Sequence, residues 1–212
     1  MDSSVWNYDS YNLGAQTLSK DVSADVAVIG AGMAGVLTAY KLTKRGQNVV
    51  LIDAGTVGGG VTKNTTAKIT SQHRPIYHRL ISSRGIEAAK AYAKSNENAI
   101  REYEQIISEL NIDCDFKKTT AYVYSNCDKE LIRREMNAAL MCGIDAFYTE
   151  DSDLPFKIKA MYGFKNQAEF DPLKFLFAVA KKLTVFERTR AIDIENSTVI
   201  TNRGKISAKH IV

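Results

Sequence analysis

The stretch Asp25–Gly35, DVAVIGAGMAG, restricts the possible folds of this chain more than any other. An apolar run without polar alternation ends in three glycines, Gly30, Gly32 and Gly35. A strand that is apolar at successive positions is covered on both faces, as in a parallel sheet flanked by helices. Residues 33–45 then carry a helical pattern, and QNVVLIDAG, after the Arg45-Gly46 turn, reads as a second strand. Strand, helix and strand in this order set the class as α/β.

A GxGxxG between strand and helix, followed by a second strand that ends in an acid, is the dinucleotide fingerprint. Each part has a separate task. Gly30 permits the sharp exit from the strand, Gly32 leaves room for a diphosphate to approach the main chain, and Gly35 allows close helix–sheet packing. The helix N-terminus offers unpaired N–H groups and a positive dipole end to phosphates. Asp53, closing the second strand, can accept hydrogen bonds from an adenosine ribose, and its charge disfavours the 2′-phosphate of an NADP-type nucleotide. A tight βα turn alone would account for one glycine and not for three. The fingerprint leaves FAD and NAD open.

The following segment, GTVGGGVTKNTTAKIT, places bare backbone before the hydroxyls of Thr62, Thr65 and Thr66 and the ammonium of Lys68. That order suits a second contact with an extended cofactor. It equally describes a flexible polar surface loop.

Composition narrows the class further. The 212 residues are 45% hydrophobic and 25% charged, with a net charge of +4, an ordinary globular balance without blocks of like charge. A nucleic-acid surface is not expected, because Lys and Arg are scattered among Asp and Glu, and a membrane partner is not expected, because the longest apolar runs are strand-sized. The N-terminus lacks the apolar segment of a secretory signal. Cys114, Cys127 and Cys142 are widely spaced, form no CxxC pair and lie away from the histidines, so a metal site or disulfide framework is not expected. They read as small buried hydrophobes in a reducing, cytoplasmic setting. The Asn64 and Asn196 glycosylation-like triplets read as chance.

Along the chain, residues 1–24 read as a leader whose aromatics, Trp6, Tyr8 and Tyr11, pack on the surface. Residues 85–111 are helical, with Ile86, Ala89, Ala93, Ile100, Tyr103, Ile107 and Leu110 forming a stripe that Asn96 interrupts. TTAYVYS reads as a strand, Asp128 as the cap of a helix ending at Gly143, and KAMYGFKNQAEF as strands. Asp171-Pro172 opens another helix. Residues 185–195 and 198–212 read as strands joined by the turns ENS and NRG. The helix reaching Leu183 meets the strand at Val185 with almost no connector, so either it ends early or residues are missing. The closing KHIV reads as the start of a strand.

DVAVIGAGMAGVLTAYKLTKRGQNVVLIDAGTVGGGVTKNTTAKIT resembles the N-terminal FAD-binding region of the D-amino-acid-oxidase-like flavoproteins, the glycine and sarcosine oxidase superfamily. NQAEFDPLKFLFAVAKKL is similar to the segment where that family leaves its substrate domain and re-enters the FAD domain. TRAIDIENSTVITNRGKISAKHIV resembles the β-meander that follows. SVWNYDSYNL with TTAKITSQH points to a bacterial subgroup that often carries a C-terminal Rieske [2Fe–2S] domain.

The resemblance implies an α/β fold. A Rossmann-like FAD domain, parallel sheet plus β-meander, would be built from 25–75 and 184–212, with an inserted α+β substrate domain at 76–183. It implies an incomplete chain, since further flavin contacts follow the meander in that family, and no Rieske-type Cys-x-His and Cys-x-x-His pair occurs here. The implied cofactor is FAD. Its contacts fall on Gly30, Gly32, Met33, Ala34 and Gly35, then Asp53 and Ala54, then Gly60, Thr62, Thr65, Thr66, Ala67 and Lys68. The implied activity is oxidation of an amine or amino-acid-like substrate by hydride transfer to flavin. A non-catalytic FAD module serving an iron–sulfur partner and a nicotinamide-dependent dehydrogenase remain open.

No catalytic residue is assigned. Lys68 and His73 are candidates for the flavin side, against a solvated lysine and a hydrogen-bonded loop histidine. His78 reads as packed surface. Arg133 and Arg134, beside Glu130 and Glu135, read as a salt-bridged exposed helix face rather than a carboxylate clamp. Tyr122, Tyr124, Phe164 and Phe170 read as core packing, with a sheet laid over the flavin as the other reading.

Overall fold

The computed structural model describes Trp6 and residues 10–212. Tyr8 of the leader cluster lies outside the described residues. The chain forms two compact units, 1–66 with 110–114 and 171–212, and 67–109 with 115–170.

The first unit is a six-stranded sheet in the order β7-β2-β1-β10-β9-β8. Its strands are β1 (Val22–Ile29), β2 (Val49–Ile52), β7 (Thr184–Phe186), β8 (Ala191–Glu195), β9 (Thr198–Thr201) and β10 (Lys205–Ile211). Strands β7, β2, β1 and β10 run parallel, and β8, β9 and β10 form the antiparallel meander. The unbroken apolar run of β1 is explained by its place at the centre, where Val26, Ala27 and Val28 are all buried. Helix α1 (Met33–Lys44) follows β1, and its Arg45 cap and the Gly46 turn lead into β2.

Helix α5 (Pro172–Ala180) belongs to this unit and packs on α1. Asp171 caps it by accepting from the Leu173 and Lys174 N–H groups at 2.8 and 3.0 Å. Leu173, Phe175, Leu176, Phe177 and Val179 are buried along it, at roughly 2 kcal/mol for each large side chain. Of the two expectations for the connector before β7, the early helix end holds. The helix stops at Ala180, and Lys181 to Leu183 make the turn.

Two strand expectations are corrected. Residues 185–195 are not one strand, since β7 ends at Phe186 and the chain turns through Glu187–Arg190 before β8. KHIV does not begin a strand, because β10 is already under way at Lys205 and runs on through it. Val212 N–H donates to Ala27 O at 2.9 Å, and Ile29 N–H donates to Val212 O at 2.8 Å. Lys209 also reaches Asp25 across this pair at 2.7 Å, and its hydrogen bond holds that carboxyl below the ordinary aspartate range.

The second unit is a four-stranded sheet around β6 (Ala160–Glu169). It pairs with β4 (Lys117–Ser125) on one edge, and with β3 (Lys68–Ile69) and β5 (Ala146–Thr149) on the other, all antiparallel. KAMYGFKNQAEF is therefore one strand, bent where the register shifts and Asn166 takes φ +58°. Helices α2 (Tyr77–Arg84), α3 (Ile86–Leu110) and α4 (Lys129–Met141) complete the unit's elements. Tyr77, Ala89, Ala93, Ile132, Ala139, Tyr162 and Phe164 form its core. On α3 the buried positions include Ile106, while Ile107, expected in the stripe, is only half-buried. Asp128 caps α4 by accepting from Leu131 N–H at 2.8 Å.

The exposed helix face expected on α4 needs correction at Glu135. Arg133 does lie beside Glu130 at 3.6 Å and over the Tyr148 ring. Glu135, only 2% exposed, instead turns inward and accepts from the Ile76, Tyr77 and His78 N–H groups at 2.6, 2.6 and 3.0 Å. A carboxylate thus satisfies the first donors of α2, a helix whose own cap residue, Ile76, has no side chain able to do so. Replacing Glu135 with Ala should cost about 2–4 kcal/mol in denaturant unfolding, because three donors lose a charged acceptor. Glu135→Gln, which keeps one oxygen, should cost roughly half as much.

Candidate functional site

The glycine turn leaves β1 at the carboxyl end of the parallel strands, where open α/β sheets bind ligands. Gly30 has φ +104°, a conformation that L side chains rarely adopt. Gly35 admits no side chain for a different reason. A Cβ there would stand 1.8 Å from Gly30 O.

Gly32 is unlike both. Its φ of −80° and ψ of −174° suit any residue, and a Cβ would meet only Thr62 Oγ1, at 3.5 Å. Nothing in the folded chain requires glycine at this position, where it caps the start of α1. A bare main chain that the protein itself does not need fits a group laid against it from outside.

Asp53 binds this turn to the next. Its Oδ2 accepts from Ala31 N–H and its Oδ1 from Gly55 N–H, both at 2.7 Å. Its own peptide is held by β7 and the turn after it, with N–H donated to Phe186 O and its carbonyl accepting from Thr189 N–H. Each carboxylate oxygen keeps a second acceptor position, so a ribose hydroxyl can be added without breaking either bond. Ala54 is exposed beside it.

The hydroxyl segment folds back over the helix start. After Gly60, exposed, a short 3₁₀ turn at Val61–Asn64 places Thr62 Oγ1 3.2 Å from the Met33 N–H that donates to it. Ala34 is exposed on the same first turn of α1. Thr65 closes the 3₁₀ turn, and its Oγ1 is buried with no hydrogen-bond partner among the described residues. Such an orphan is costly, and here it is a donor in the segment expected to meet the cofactor. Thr66 is exposed.

The first unit therefore gathers Gly30, Gly32, Met33, Gly35, Asp53 and Thr62 around one turn, with Thr65 at the end of the hydroxyl segment. Ala67, with φ +65°, and Lys68, exposed on β3, count with the second unit. His73, also there, shares a hydrogen bond with Tyr92 OH at 2.9 Å, the loop-histidine alternative. His78 is exposed on α2.

Sequence reasoning missed Ala31 and Glu187. Ala31 is fully buried and supplies the N–H that Asp53 holds, while its carbonyl accepts from Gly58 N–H. Glu187, 4% exposed, accepts from Val57 N–H at 2.9 Å. An acid just beyond a short parallel strand was the available signal, but its partner lies 130 residues away.

In the second unit the four ring positions divide. Phe164 and Phe170 are buried, as core packing requires. Tyr122 and Tyr124, 55% and 46% exposed, instead face a cavity of about 560 Å³ with Phe147 and Met161 and the acids Asp151 and Asp153. Behind that sheet, burial pushes the phenols of Tyr77 and Tyr162 well above the ordinary tyrosine value. Tyr77 accordingly stays a donor, to Ser71 O at 2.8 Å. Cys114 and Cys142 are buried, and burial raises the Cys142 thiol, whereas Cys127 is exposed beside Ser125, a correction to its expected burial.

Among the described residues no helix is long and apolar enough to cross a membrane. Residues 25–212 match the protein family described as FAD dependent oxidoreductase, DAO. The chain is 37% identical over 206 residues to YhfW of Bacillus subtilis strain 168, provisionally named a Rieske 2Fe-2S iron-sulfur protein. That alignment covers 92% of this chain and 40% of YhfW. The L-proline dehydrogenase of P. horikoshii shares the fold with a TM-score of 0.71 at 21% identity, over 93% of this chain and 52% of that one. The L-amino acid deaminase of Proteus vulgaris, with its specific insertion deleted, gives 0.68 at 19%, over 93% and 53%. This chain thus spans about half the length of these proteins, or less.

The glycines separate by experiment. Gly35→Ala should destabilise the apoprotein by several kcal/mol, about what a buried clash with backbone costs. Gly32→Ala should leave apoprotein melting unchanged within a degree or two, about the shift of a minor surface change, and should abolish retention of the dinucleotide through purification.

Proposed function

The chain belongs to the FAD dependent oxidoreductase (DAO) family, and from that premise we propose that it is the N-terminal, FAD-binding portion of an enzyme that oxidises an amine or amino-acid-like substrate. The observation that carries the cofactor part is the turn at Gly32, bare where the fold itself demands nothing. The residues present fit the group. The Gly30–Gly35 main chain and the start of α1 hold its diphosphate, Asp53 accepts from its ribose while fixing Ala31 and Gly55, and Thr62 and Thr65 donate hydroxyls along its length.

Bound FAD supplies an acceptor for a hydride from the carbon next to the substrate nitrogen. The protein's part is to fix the cofactor's position, to exclude a 2′-phosphorylated nucleotide through the charge of Asp53, and to orient the substrate. The amine assignment draws on the deaminase and dehydrogenase relatives, whose names state amino acids. It also draws on the second unit's cavity, where ring faces and two carboxylates occur with no basic side chain in the lining, chemistry suited to an organic ammonium. A reducing, cytoplasmic setting and a domain organisation of FAD portion plus inserted substrate portion belong to the same reading.

The YhfW likeness favours one second reading, a FAD module that passes electrons to an iron–sulfur domain without itself oxidising an amine. The complete protein should purify yellow, and its flavin absorbance should bleach on anaerobic addition of an amino acid or polyamine. Bleaching by a reduced iron–sulfur protein, but by no amine, would select the second reading. Tight NADH binding by a colourless protein would overturn both.

A further inference from the structure

Of the described residues before β1, Trp6 and those from Ser10 onward touch the first unit's expected cofactor-binding part at several points. Near the C-terminal end of this segment Leu18 is 1% exposed, and its N–H donates to Thr189 Oγ1 at 3.2 Å. Glu187 N–H donates to Gln16 O at 3.0 Å. Glu187 and Thr189 are the residues that hold the main chain at Val57 and Asp53, next to the ribose acid. In between, the Tyr11 ring packs on Phe177 of α5 at 5.2 Å, and its hydroxyl donates to Asp171 Oδ2 at 3.2 Å. At the far end the Trp6 indole N–H donates to Thr65 O at 2.9 Å. Thr65 is the residue whose own hydroxyl is buried and, among the described residues, unpaired.

We propose that this leader is a built-in part of the flavin site, and that Trp6 is a positioning residue that holds Thr65 so that its hydroxyl points at the cofactor. A hydrogen bond to the Thr65 carbonyl fixes the peptide from one side and leaves the side chain as the free donor. Anchors at Gln16 and Leu18 and at Trp6 make one segment brace both the turn after β2 and the hydroxyl loop. A leader that only covered apolar surface would have no reason to seat its one indole donor on the residue carrying the orphan hydroxyl. The inference rests on the reading that Thr62 to Thr65 line the cofactor.

Thr65→Val and Trp6→Phe test it in the complete protein, with FAD affinity measured on the apoprotein by flavin fluorescence. Thr65→Val should weaken FAD roughly tenfold while raising the melting temperature of the apoprotein, because the orphan hydroxyl is gone. Trp6→Phe should weaken FAD roughly fivefold, the usual value of one hydrogen bond, with apoprotein melting nearly unchanged. The double variant should bind no more weakly than Thr65→Val, since Trp6 acts through that hydroxyl.

Reciprocity gives a readout with Thr65 and Trp6 both unchanged. Trp6 is the sole tryptophan of these 212 residues, and in the complete protein with any tryptophan beyond them replaced by Phe, FAD should lower its accessibility to acrylamide if seating the indole and binding the cofactor favour each other. If Thr65→Val leaves FAD affinity intact, the hydroxyl-loop reading falls and this inference with it. If Thr65→Val weakens binding but Trp6→Phe does not, or the two effects add in full, the leader's role alone is overturned. Unchanged acrylamide access at saturating FAD would also overturn it.

Discussion

The first unit depends on one carboxylate. Asp53 sits at the end of β2, yet both its oxygens are committed to main-chain N–H groups that belong to other turns. Through Ala31 it fixes the path of the glycine turn, and through Gly55 it fixes the turn that leads to the hydroxyl loop. Because its own peptide is gripped by Phe186 and Thr189, the strand on the far side of β2 is joined to the same point. Segments near residues 31 and 187, distant from it in sequence, thus meet on one residue, the first on its side chain and the second on its main chain.

That arrangement explains how the other polar groups are disposed. Glu187 takes up Val57 N–H, Thr62 takes up Met33 N–H, and the leader closes over Glu187 and Thr189. Loops around a ligand turn are rich in unpaired donors, and buried donors without acceptors are costly. Here side-chain oxygens satisfy them one at a time. The second unit solves the same problem at α2, where Glu135 gathers three N–H groups.

Much of this was legible in the chain as written. β1, α1, β2 and the acid after them follow from local pattern, since apolar runs, glycines and caps act on their own neighbourhood. The caps at Asp128 and Asp171 were equally local. What escaped was long-range. Glu135 looked like one more charge on an exposed helix because its partners lie 57 to 59 residues earlier. KHIV looked like a beginning because pairing with β1, far up the chain, is what places it inside a strand that starts at Lys205. Tyr122 and Tyr124 alternate toward the open face of β4, and the same pattern would suit a buried strand. Glu187 carried no motif, Trp6 of the SVWNYDSYNL stretch was read only as surface packing, and closure of the fold is what gives both their partners.

The lone hydroxyl of Thr65 bears on the protein's life in a cell. A fold that keeps one donor hungry is less robust empty than occupied, and any molecule that binds only the native form adds to its stability by mass action. Protein made when flavin is scarce would spend more time open to proteolysis than protein made when flavin is abundant. On the proposed flavin-site reading, the steady amount of this chain would then track flavin supply.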